Sequence, residues 1–160
     1  MLFIIESIIL CVVFTVAVIP GTLKNPLWQL HNYPAAIQER VKSLPEYQGR
    51  IPTHKKSLGL QLTAAVIFII LLAAIAYFSG TRTFLSAFIY TFGLFMVVNW
   101  FDALVLDSIF FCHYEGFRIP GTEDMAKVYE NPRMHIIGGL KGTLIGAVVS
   151  AAAAGIVFLI

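Results

Sequence analysis

Residues 58–78 read LGLQLTAAVIFIILLAAIAYF, without a charged side chain and with Gln61 and Thr63 confined to the start. A helix rising about 1.5 Å per residue needs about 20 such residues to cross a hydrocarbon core of roughly 30 Å. No water reaches that core, so a spanning segment must satisfy its own backbone, and a helix does so. This stretch decides the fold, because a bilayer is its natural solvent. Three more stretches follow the same logic: residues 2–19, 83–111 and 136–160. The first is apolar except for Glu6, Ser7 and Thr15, and Pro20-Gly21 is expected to end it. The expected fold is an all-α integral membrane protein, a four-transmembrane-helix bundle forming one domain over residues 1–160. Two long loops, 21–57 and 112–135, connect the spans.

Composition agrees. Hydrophobic residues make up 58% of the chain and charged residues 12%, against about 25% charged in soluble domains. A soluble fold built this way would expose large apolar patches. The net charge of +2 comes without a basic stripe interleaved with aromatics, so nucleic acid is not an expected partner. Cys11 and Cys112 occupy separate apolar stretches with no CxxC spacing and read as small buried residues. The first stretch lacks the basic flank and small-residue cleavage site of a signal peptide, and reads as a retained helix.

Charge sets the expected orientation. Lys24, Arg40, Lys42, Arg50, Lys55 and Lys56 lie in the first loop, and Arg118, Lys127 and Arg133 in the second. The opposite side offers only Arg82, in the Gly80-Thr81-Arg82 turn. Basic residues collect on the cytoplasmic side, so both loops are expected there and both termini outside, in a multi-pass protein of the cell membrane.

The third stretch is too long for a straight span. From Thr83 to Tyr114 it would reach roughly 48 Å as an α-helix. It must project or break near Asp107, and the absence of Pro and Gly between Leu94 and Tyr114 favours projection. In the first loop, Pro34–Leu44 reads as a helix with Ile37, Val41 and Leu44 on one face. Such a helix is expected at headgroup level, apolar side down, with Trp28, Tyr33 and Tyr47 as interfacial anchors. In the second, Thr122 is expected to cap a helix from Glu123 to Glu130 that Asn131-Pro132 ends.

The fourth helix carries Gly138, Gly142, Gly146, Ser150 and Ala154 at successive i+4 positions, beside Gly139, Thr143, Ala147, Ala151 and Gly155. Small residues at that spacing admit another backbone closely. Internal packing is the expected use, and a wide small-residue face could also serve a homo-oligomer.

Ionisable residues gather on the loop side, where all four histidines fall. Asp102 stands out inside the third hydrophobic stretch, where a carboxylate is costly and generally functional. At about 100° per residue, Asn99, Asp102 and His113 fall within about 60° of one another, with Asp107 to the side. Asp102, Asp107 and His113 are therefore the candidate catalytic residues. Asn99, Arg118, Arg133, His135 and Lys141 are candidates for holding substrate, the cations for an anionic group; Lys141 could equally snorkel to the headgroups. Asp107, His113, Glu123 and Asp124 form a candidate set for a divalent metal such as Mg²⁺, Mn²⁺ or Zn²⁺, although their spacing matches no ligand motif. The leading expectation is a membrane-embedded enzyme acting on a lipid or amphiphile from the cytoplasmic leaflet by acid–base or metal chemistry. A noncatalytic subunit or scaffold binding a partner through the loops is the second. A small oligomeric transporter or channel is the third.

Overall fold

The computed structural model describes residues 1–52 and 54–160, the side chains of 54–57 excepted, so the Lys55-Lys56 pair lies outside what is described. The described residues contain helices and no strand. Four helices are long and apolar enough to cross a membrane. They are α1 (Leu2–Lys24), α3 (His54–Phe78), α4 (Phe84–Phe101, continuing as a π-helix over Asp102–Phe111) and α6 (Arg133–Leu159). Short α2 (Ala35–Ser43) and α5 (Ala126–Tyr129) lie in the two loops.

α4 sits at the centre, between α1 and α6, with α3 against α6 and α4. Its start is fixed by Thr83, whose side chain accepts from the Ser86 amide while the Ser86 hydroxyl accepts from the Thr83 amide. The stripe on α6 explains the closest approach. A Cβ at Gly139 would stand 2.9 Å from that of Ala103, one at Gly142 would strike the Asn99 side chain, and one at Gly146 would strike the Phe95 ring. The small residues are thus consumed largely within the chain, against α4.

α3 behaves differently. Leu72, Ala73 and Ala76 near its end are buried in the apolar core, while Leu58, Leu60 and Leu62 near its start are exposed. At the end opposite the long loops, half-buried Glu6 ties three helices together. It accepts from the Ser79 hydroxyl at 2.6 Å and from the Tyr90 hydroxyl. The one acid of the first span is thus held by two donors.

Several expectations are corrected. α1 does not stop at Pro20 but runs through it to Lys24. The third span neither projects as a straight α-helix nor breaks: from Asp102 to Phe111 it widens into π geometry. Ser108 accordingly donates to the Ala103 carbonyl five residues back, at 2.6 Å. The Thr122 side chain makes no cap; its hydroxyl bonds the Ile119 carbonyl and the Tyr129 hydroxyl, and Glu123–Met125 is a 3₁₀ turn leading into the four-residue α5.

The largest correction concerns the loops. The apolar face of α2 does not lie on the membrane surface. Ile37 and Val41 are fully buried with Leu27, Leu30, Tyr33 and Tyr47 against Phe111, Phe117, Ile119 and Tyr129, a second core beyond the spans. Of the three aromatic residues assigned to the interface, only Trp28 is exposed. Tyr33 donates to the Phe117 carbonyl at 2.9 Å and Tyr47 to the Pro120 carbonyl at 3.0 Å. The Ile119 amide donates to the Tyr129 hydroxyl at 3.1 Å. Burial, with Tyr129 nearby, pushes the Tyr33 phenol well above its usual range, so it remains a donor. Replacing Tyr33 by Phe orphans a buried carbonyl and should cost about 1–3 kcal/mol. Thermal unfolding in detergent should register this loss, with faster amide exchange over residues 117–130.

Candidate functional site

The loop-side end of the bundle holds a polar cleft of about 410 Å³. α4 and its π extension contribute Asn99, Asp102 and Asp107, α6 contributes His135 and Lys141, and the segment Pro26–Asn32 contributes His31 and Asn32. A smaller chamber of about 40 Å³ shares Asn32, Asp102, Asp107 and His135 with it and adds Gln29. Asp102 therefore lines two voids, and no donor among the described residues bonds its carboxylate.

π geometry assembles this group. With i→i+5 bonding the helix takes more residues per turn, so the 100° step fails beyond Phe101. Asp107 comes round to the cleft that Asp102 lines, and His113 is carried out of it. His113 is exposed, its Nδ1 2.9 Å from the Ile109 carbonyl.

His135 takes the place the sequence assigned to His113. Its side chain is 4% exposed, its Nδ1 lies 3.0 Å from Oδ2 of Asp107, and its ring packs edge-on to Phe111 at 5.3 Å. In the neutral tautomer that donates to the Asp107 carboxylate, Nδ1 carries the hydrogen and Nε2 is left as an acceptor. That Nε2 is buried and has no partner among the described residues. Asn99 supports the arrangement by donating to the Gly139 carbonyl at 3.0 Å, which ties α4 to α6.

No family model, curated protein or solved structure matches this chain. What it can do must be read from its own residues.

The remaining candidates are dispersed. Arg118 pairs with Glu115 at 3.2 Å and Glu130 at 4.0 Å. Arg133 lines a different cleft, with Lys127. Glu123 accepts from the Gly121 amide at 2.9 Å and Asp124 from Arg40 at 2.7 Å. The metal set Asp107, His113, Glu123 and Asp124 is therefore not brought together: the π turn and the folded second loop send its members in different directions. Among the described residues no three His, Cys, Asp or Glu side chains converge as metal ligands.

Sequence reasoning missed His31 and Asn32 as cleft residues. His31 also reaches α3, its Nε2 2.9 Å from Nε2 of Gln61. Two nitrogens can bond there only if the imidazole accepts from the amide. Burial holds the His31 imidazole below its usual range. A depressed imidazole pKa means the opened state takes up the proton more readily. The contact is therefore retained above the ordinary pKa of about 6.5 and weakens as pH falls through the lowered one. Amide exchange over residues 26–32, corrected for intrinsic rates, should quicken between about pH 7.5 and about pH 5.5, and His31→Gln should abolish the change.

Proposed function

We propose that this chain is a membrane enzyme performing acid–base chemistry on the polar head of a lipid or other amphiphile, with His135 as the proton-transfer group. The observation that carries this reading is the Asp107–His135 pair, with its Nδ1–Oδ2 distance of 3.0 Å and an Nε2 without a partner among the described residues, beside Asp102 in a cleft. A carboxylate that fixes the imidazole tautomer and steadies the imidazolium is a recurring device for general base catalysis. Nε2 is closed to bulk solvent, so its proton partner would sit in the 40 Å³ chamber that His135 shares with Asp102, Asn32 and Gln29. That volume admits water, which needs roughly 10–15 Å³ and two or more polar partners. Asp102 would serve as second acceptor, and Lys141 would hold an anionic part of the head. Basic residues on the loop face favour a cytoplasmic cleft supplied from the inner leaflet.

Transport is less well supported. Between Asn99 and Glu6 the core is filled mainly by Leu10, Leu94, Val98 and Val149, and the buried polar side chains among the described residues there are the small hydroxyls of Ser7, Thr91 and Ser150. The test uses proteoliposomes made from a total membrane lipid extract and wild-type or Asp107→Asn protein. Lipid mass spectrometry should show one class changing with time in the wild type alone. If no species changes in any extract, the catalytic reading fails.

A further inference from the structure

We infer that the cleft between α5 and the first turns of α6 is a binding site for an anionic glycerophospholipid, its phosphate held by Lys127 and Arg133. This goes beyond the acid–base reading and does not rest on it.

The cleft measures about 440 Å³, and Val128, Met134 and Ile137 supply an apolar wall. α6 has 27 residues from Arg133 to Leu159, roughly 40 Å of helix against a hydrocarbon core of about 30 Å. Its first turns therefore stand at headgroup depth. Lys127 and Arg133 are exposed and form no ion pair among the described residues. Their basic neighbours Arg40 and Arg118 are already paired, with Asp124 and with Glu115 and Glu130. Two free cations over an apolar wall match an amphiphile with an anionic head.

The chain below the head also has a track. Ile137, Leu140, Leu144 and Val148 are all exposed and recur at i, i+3, i+7 and i+11, one face of α6 descending from the cleft. Free phosphate would use the cations and ignore that track, whereas an acyl chain uses both. Met134 walls this cleft on one side and the polar cleft on the other, so the bound lipid would lie one side chain from Asp102 and His135.

Native mass spectrometry of the full chain in detergent, titrated with phosphatidylglycerol or phosphatidylcholine, tests the site. Phosphatidylglycerol should bind in preference to phosphatidylcholine. The double variant Lys127→Gln/Arg133→Gln should weaken its binding roughly thirtyfold, the product expected of two basic residues near a lipid surface. Lys24→Gln/Arg50→Gln removes the same charge elsewhere on the loop face and should leave binding intact, and Lys127→Arg/Arg133→Lys should retain it. Equal losses in both glutamine doubles, or no loss in the first, would overturn the proposal. So would displacement of the lipid by inorganic phosphate at equal concentration, which would mark a free-phosphate site.

Discussion

Gly142→Leu should collapse the bundle, whereas Gly138→Leu, one helical turn away on the same stripe, should be nearly neutral. A Cβ at Gly142 meets the Asn99 side chain, and a leucine there would drive α4 from α6 along the interface that orders the molecule. Overpacking of a close contact costs about 1–3 kcal/mol. Loss of the Asn99–Gly139 bond adds about 1 kcal/mol, and more if the carbonyl is left unpaired. Gly138 has nothing within 4 Å of its added Cβ and borders the open cleft. The measurement is the unfolding midpoint in micelles for both variants, with Gly142→Ala as an intermediate. Equal effects at the two positions would mean that α6 does not face α4 as described.

Asp107→Asn should lower turnover by about 10²–10⁴ while leaving the fold in place. Asparagine can still accept the Nδ1 hydrogen of His135, so the packing survives. What it removes is the negative charge that steadies an imidazolium. His135→Gln should be as severe. The double variant should be little worse than either single one, because residues acting as a unit are not additive. The readouts are kcat and KM on whichever lipid class the proteoliposome assay shows to change, with the unfolding midpoint as a control. A loss confined to KM would place the pair in binding rather than proton transfer.

The spans were legible because hydropathy acts over 20 residues and needs no partner. Thr83 at the head of α4, and the small stripe as a packing face, were equally local signals. Recognising Asp102 as a carboxylate at membrane depth was enough to locate the cleft. Asn99, Asp107, His135 and Lys141 line it too, whereas His113 lies outside it: the angular step of an α-helix was applied through a stretch that is π. Nothing in DALVLDSIFF, residues 102–111, announces that change. His135 could not be matched with Asp107 from sequence, since they lie 28 positions apart on different helices. The apolar face of α2 was visible, but its partner was not. Lipid and a second protein core ask the same pattern of Ile37 and Val41, and only the arrival of Phe117, Ile119 and Tyr129 decides between them.

The join between the two loops also governs the order in which the molecule can be made. Tyr33 and Phe117 are separated by 84 positions, and Tyr47 and Pro120 by 73, with two whole spans between. A growing chain must therefore thread α3 and α4 into the bilayer before its first loop finds a mate. Until then Tyr33, Ile37 and Val41 lack the Phe117, Ile119 and Tyr129 side chains that close over them in the finished fold.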